Sequence, residues 1–179
     1  MSIPRLNGKG VLPPINGEPY PTTSLELCQR YGTTPERRAV LRGLLDLRAA
    51  MRDLQFDGGW QWVAGEFLED DRLHTKPPTL IKVVSFCKTP DSFKDHEYAD
   101  QAATIRKRKK TFEKFHVDHL PVLLSWPQEV VAKHTSHHQA LLSRQASTGL
   151  AVGFLRMDLN TASDDTAALE YLKKMEARA

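Results

Sequence analysis

The stretch TTPERRAVLRGLLDLRAAMRDL does most to limit what this chain can become. Thr34 suits a helix cap, Pro35 suits the first helical position, and Glu36 falls in the first turn, where negative charge is favoured. Val40, Leu44, Leu47, Met51 and Leu54 then recur at steps of four and three, drawing one apolar stripe along the helix. Such a stripe must be buried against another layer. The material for that layer follows at once. Trp60 to Ala64, closing at Gly65, and Thr79 to Phe86 are rich in aromatic and β-branched residues and read as strands.

The remaining pattern alternates. A short helix is expected over 24–31, capped by Thr23 or Ser24, and a long polar one over 91–115. A strand is expected over 116–124 and a second long helix over 128–145. TGLAVGFLRMDL, from Thr148, reads as a fourth strand. A last helix begins at a Ser163 cap, with Leu169, Leu172 and Met175 as its apolar side and Lys173 and Lys174 suiting its C-terminal half. Helices alternating with strands define an α/β (α+β) class, a small mixed sheet flanked by helices. Residues 1–21, rich in proline and glycine, read as an extended arm or an ordered loop over the surface. Residues 22–179 suit one domain, since 179 residues are too few for two comfortable cores.

Composition narrows the class further. A net charge of +3 is only mildly basic, so nucleic acid is permitted as a partner and not demanded. The two cysteines, Cys28 and Cys87, show no CxxC pair and no zinc spacing, and read as buried thiols in a reducing compartment. The N-terminus lacks an apolar signal core, and no run reaches the ~18 apolar residues of a membrane span. A cytoplasmic protein with no membrane association is the expectation.

Several polar groups stand out. Arg106, Lys107, Arg108, Lys109 and Lys110 form an unbroken basic run. On one continuous helix they would wrap around the circumference, which reads as a solvated surface; the alternative is a phosphate-backbone contact patch. Phe112 and Phe115 read as anchors of that helix to the core. His134, His137 and His138 fall on one side of a helix, a spacing that suits two zinc ligands, but no third ligand accompanies them and a polar helix face is the plainer reading. Trp60 and Trp62 share a strand face and read as core. Trp126 reads as an edge cap or a partner anchor. Glu69, Asp70 and Asp71 read as a solvated turn.

The order of elements, together with Leu12-Pro13-Pro14, the arginine-bearing helix Arg37 to Leu54, Gly65, the run Pro78 to Val84 and His116-Val117-Asp118-His119, resembles a family of short prokaryotic proteins built on the nucleotidyltransferase fold. The resemblance runs from about Val11 to Leu159. It implies a glycine–serine turn before a strand carrying two aspartates at i and i+2, with a third carboxylate on a neighbouring strand. Carboxylates at i and i+2 project from one strand face and together hold magnesium. Here Glu66 stands in the serine position, Leu80 and Lys82 stand in the aspartate positions, and only Asp118 keeps its carboxylate.

The resemblance therefore implies a remnant site of Gly65, Glu66, Leu80, Lys82 and Asp118 with no resident metal. Lys82 would either pair with Asp118 across adjacent strands or carry positive charge to a bound phosphate, alongside Arg106 and Lys107. The expected role is that of a catalytically degenerate shell acting by binding, as a regulatory or interaction subunit. The resemblance sets it among proteins of prokaryotic genomes and mobile elements, some near toxin–antitoxin or phage-defence genes. A protein partner is expected, with nucleic acid reached through Arg106, Lys107, Arg108, Lys109 and Lys110. Two alternatives remain. One is an active nucleotidyltransferase using magnesium with Asp118 and either Glu66 or the acidic loop. The other is a structural component of a larger assembly.

Overall fold

The computed structural model describes residues 3–91 and 96–177. Five strands form one mixed sheet in the order β1-β5-β2-β3-β4, flanked by six helices among the described residues. The strands are β1 (Tyr20–Pro21), β2 (Gly59–Ala64), β3 (Ile81–Cys87), β4 (Val117–Leu123) and β5 (Leu155–Asp158). The helices are α1 (Ser24–Tyr31), α2 (Pro35–Asp53), α3 (His96–Arg106), α4 (Arg108–Phe115), α5 (Gln128–Leu142) and α6 (Ala162–Glu176). β2 runs antiparallel to β3 and β5, whereas β3–β4 and β1–β5 are parallel. No helix among the described residues is long and apolar enough to cross a membrane.

The caps explain where the first helices start. Thr23 accepts from the Glu26 amide and Thr34 from the Arg37 amide, each satisfying one of the donors that a helix start leaves open. The α2 stripe is buried at Val40, Leu44, Leu47 and Met51 and packs on the sheet face made by Val63, Ile81, Val83, Val117, Leu155 and Met157. Trp62, Ala64, Val84, Phe86, Val122 and Phe154 occupy the opposite face, joined by Leu142 of α5. The paired tryptophan positions are thus core packing, with Trp62 edge-on to both Phe86 and Phe154. Cys28 and Cys87 are buried, and burial pushes each thiol up to about 12.

Four expectations need correction. The helix expected over 91–115 is two helices, because Lys107 adopts an extended conformation between α3 and α4; residues 92–95 of that span lie outside the described residues. The arm does more than lie on the surface: Ile3, Val11 and Leu12 are buried, and Tyr20–Pro21 extends the sheet. The strand from Thr148 is confined to Leu155–Asp158, since the preceding residues turn at Gly149. Finally, Thr161 rather than Ser163 occupies the cap position of α6. Its hydroxyl makes no cap bond; it receives Arg48 and donates to the Asp158 carbonyl.

The helix-facing side of the sheet carries a buried polar chain. Arg48 donates to the Gln61 carboxamide oxygen at 2.7 Å, Gln61 Nε2 to Ser85 Oγ at 2.9 Å, and Ser85 lies 2.7 Å from His119 Nε2. His119 Nδ1 lies 2.8 Å from the Ile105 carbonyl, which can only accept, so Nδ1 bears the proton and Nε2 accepts from Ser85. At the other end Asp165 of α6 receives Arg48, Arg52 and Ser24.

Two further features of this framework stand out, one in its packing and one at its margins. Gly43, midway along α2, faces the carbonyl of Phe115 so closely that a Cβ would run into the oxygen. Alanine normally favours a helix interior over glycine by ~1 kcal/mol. Here the overlap reverses the sign, and Gly43→Ala is expected to destabilise by about 1–3 kcal/mol in urea unfolding. An increase in stability would show that α2 and α4 do not approach as described. The sheet margins are the second feature. Leu124 N–H donates to the Cys87 carbonyl, and Tyr20 and Thr22 donate to Phe154 and Arg156. By alternation, Pro121 of β4 and Pro21 of β1 turn their missing donors outward.

Candidate functional site

β2 ends at Ala64 and is followed by Gly65, whose φ of +94° lies in a region that favours glycine. A Cβ there would meet the Lys82 side chain at 3.3 Å, so the lysine stem lies directly across the turn. Lys82 is register partner to Ala64 on β2 and to Asp118 on β4. Because alternate residues share a face, Lys82, Val84, Asp118 and Leu120 all point to the α5 side. There they line a cavity of about 450 Å³ together with Gly65, Glu66, Leu12, His138 and residues of the 143–153 loop, including Arg144 and Gln145. The expected remnant positions therefore do converge, except Leu80, which lines an adjoining cavity with Arg108, Lys109, Phe112 and Asp118.

The partner of Asp118 differs from the expected one. Arg108, the first residue of α4, grips its carboxylate with two parallel donors: Nε to Oδ1, and Nη2 to Oδ2 at 2.7 Å. That fork-on-fork geometry suits a guanidinium and not an ammonium. Lys82 is left without a carboxylate partner among the described residues, half-buried at the cavity wall. The break at Lys107 is what makes this possible, because α4 starts afresh and swings Arg108 to the sheet. Of the remaining basic residues, Lys107, Lys109 and Lys110 are exposed, and Arg106 is engaged elsewhere.

The acidic loop is also not a free turn. Arg37, 2 % exposed, donates to the Phe67 carbonyl at 2.7 Å, the Glu69 carbonyl at 3.2 Å and the Asp71 carboxylate at 2.5 Å. Asp70 pairs with exposed Arg72, which holds its carboxyl well below the usual carboxylate range, down to about 2. Glu69 is buried and accepts from Gln145 at 3.0 Å, with His74 at 3.2 Å, and so ties this segment to the 143–153 loop. These carboxylates are committed to the scaffold. Glu66, by contrast, is exposed at the cavity mouth.

The metal question follows from these positions. Asp118 is occupied by Arg108, Lys82 would repel a cation, and no group of three His, Cys, Asp or Glu among the described residues is arranged to hold one. The residues present do not fit a magnesium site. His134, His137 and His138 pack ring against ring, with centroids 5.9 and 5.4 Å apart, and Trp126 lies 5.3 Å from His134. The trio is more than a polar helix face, because His138 is buried on the cavity wall. Its desolvation, reinforced by the neighbouring histidines, holds it below the ordinary imidazole range. His116 is exposed and His119 lies on the other sheet face.

The sequence did not point to Arg108 as the carboxylate partner, nor to Arg144 and Gln145 as cavity groups; Glu69 entered only through the alternative that placed the acidic loop beside Asp118. The only available signal for Arg108 was its place within ten residues of Asp118 on an adjoining element.

The chain belongs to a family of unknown function, DUF6932, whose profile matches residues 4–158. The match runs from the arm to the end of β5 and stops short of α6. No curated protein and no solved structure matches the chain.

Proposed function

We propose that this chain is a catalytically degenerate nucleotidyltransferase-like protein that acts by binding, as a regulatory or interaction subunit whose ligand enters the Lys82 cavity. One observation carries the reading: Lys82, with no carboxylate partner among the described residues, stands beside a carboxylate already engaged by Arg108, at the point where a transferase of this kind would hold its metals. The mixed sheet supports it, because the antiparallel β2–β3 and parallel β3–β4 pairings bring Gly65, Lys82 and Asp118 to one cavity. The cavity floor is apolar at Val84, Leu120 and Leu142, and its rim carries Lys82 and Arg144. That combination suits a compact ligand with one anionic end.

A phosphate seated at Lys82 can be held without a metal, since the ammonium supplies one positive charge and hydrogen-bond donors directly. The test is calorimetry with ATP and with GTP, each with and without magnesium. Binding is expected in the absence of magnesium and is expected to weaken about 10-fold or more in Lys82→Ala, the scale of one charged hydrogen bond. Absence of heat for both nucleotides under both conditions removes the nucleotide reading. Transfer of label from a nucleoside triphosphate with magnesium or manganese, abolished by Asp118→Ala, would overturn the degenerate assignment in favour of an active transferase.

A further inference from the structure

Phe112 was expected to anchor α4 in the core, and Phe115 does so, but Phe112 is 46 % exposed. It lines a second cavity of about 450 Å³ with Leu80, Arg108, Lys109 and Asp118. The Lys82 cavity and this one share Arg108 and Asp118, so the ion pair stands as a partition between two halves of one groove. Leu80 and Lys82 lie on the same face of one chain segment, two residues and so roughly 7 Å apart, one in each half. The groove therefore has an exposed aromatic ring at one end and, at the other, a lysine with no carboxylate partner among the described residues.

The charges along it are mostly positive. Arg108 is 63 % exposed even while it holds Asp118, and Lys109 is 89 % exposed. Lys107 and Lys110 flank them in sequence and are also exposed. The opposing groups are Glu113, 3.9 Å from Lys109, and exposed Glu66 at the far rim. His116 lies edge-on to Phe112 with ring centroids 6.1 Å apart.

We infer that this groove binds single-stranded nucleic acid, with a base stacked on Phe112 and the adjoining phosphates drawn to Lys109, Arg108 and Lys82. Exposed aromatic rings set among cations are how unpaired bases and their backbone are held together, without reading a sequence. A duplex keeps its bases stacked on each other and has no free face for Phe112. An acidic peptide would satisfy the cations and leave the ring unused. The inference rests on the reading of the Lys82 cavity as a binding site, and extends it from a mononucleotide to a chain.

The test uses the full chain and a fluorescently labelled 12-nucleotide oligouridine, with oligothymidine of equal length as the deoxy counterpart. Anisotropy is read across a salt series. Binding of one or both strands is expected, with the RNA arm and the DNA arm separating the two sources. Phe112→Ala is expected to weaken binding by roughly 10-fold, the scale of one stacked base. Because Phe112 is half exposed, its loss leaves the core intact, and a circular dichroism melt checks this. Lys109→Ala and Lys82→Ala are each expected to shallow the salt dependence by about 0.7 in log–log slope, the value for one phosphate contact on a single strand.

Oligonucleotide binding that ignores Phe112→Ala overturns the inference. So does a duplex that binds as tightly as the single strands, or equal displacement by polyglutamate. Lys82-dependent binding of ATP without any oligonucleotide binding overturns the groove and leaves the cavity reading standing. Absence of binding by either overturns both.

Discussion

Asp165→Ala is expected to lower the unfolding free energy by about 3–5 kcal/mol, the scale for removing one partner of a buried ion pair. Asp165 is 3 % exposed and receives Arg48 at 2.8 Å, Ser24 at 2.6 Å and Arg52. These donors come from α2 and α1, so one carboxylate on α6 clasps three helices. Burial pulls Arg48 down from its ordinary range, and Asp165 is the principal group opposing that pull. Without the carboxylate, the guanidinium is left charged and dry. Its Nε would lose its partner, while Gln61, the Asp158 carbonyl and Thr161 still hold the other nitrogens. The neighbouring Asp164 provides the control. It accepts from the Ser24 and Leu25 amides at the start of α1, and its loss is expected to cost only about 1 kcal/mol, as for other helix caps. Urea unfolding of both variants gives the comparison. An Asp165→Ala loss no larger than that of Asp164→Ala would show that the clasp contributes little.

Acid is expected to weaken the fold through His119 before most carboxylates titrate. The imidazole is buried, and desolvation pulls it from 6.5 down to about 4, against the raising effects of the Ile105 hydrogen bond and Asp118. The unfolded chain therefore binds this proton more readily than the folded one. Stability from His119 is complete above pH 6.5 and is lost as pH falls from 6.5 toward 4, by about 3 kcal/mol in all. The chain of donors explains the reluctance. A second proton on Nε2 would face the Ser85 hydroxyl, which now donates to it while accepting from Gln61. Guanidinium unfolding at steps between pH 7 and pH 5, for the native chain and His119→Gln, isolates the contribution. A pH profile of the same slope in both would remove His119 as the cause.

Local rules wrote much of the framework into the sequence. Thr34, Pro35 and the four-and-three stripe specify α2, and Thr23 specifies α1, because capping and periodicity act within one turn. β2 and β3 were legible because aromatic and β-branched residues suit a buried sheet. The break at Lys107 was not legible. Arginine and lysine are both good helix formers, and nothing local forbids one helix through them. Packing decides the matter: the chain breaks at Lys107, and α4 restarts with Arg108 on Asp118. For the same reason the Lys82–Asp118 pair looked natural from strand register alone, although the carboxylate had a better-shaped partner ten residues upstream.

The buried polar chain was missed for a different reason. Gln61 sits between two tryptophans, and alternation turns it to the opposite face, where an amide needs partners. Arg48 falls four residues after Leu44 and three before Met51, on the same side of the helix as the apolar stripe. Both were visible as polar residues in apolar positions. Their partners were not, because Asp165 lies 117 residues from Arg48 and His119 lies 34 from Ser85. Such pairings are set by topology, which no local pattern encodes.

The two outward-turned prolines have a consequence for how the molecule meets copies of itself. An open sheet ends in rows of backbone groups that another extended chain can copy, the first step of edge-to-edge association. At β4 the row is interrupted at Pro121, the fifth of its seven residues. At β1 the row is only two residues long, and one of them is Pro21. Neither border offers an unbroken template for a foreign strand. With a net charge of only +3 to keep copies apart, the interruption of both borders by proline is a safeguard against strand-to-strand association that lies in the backbone itself.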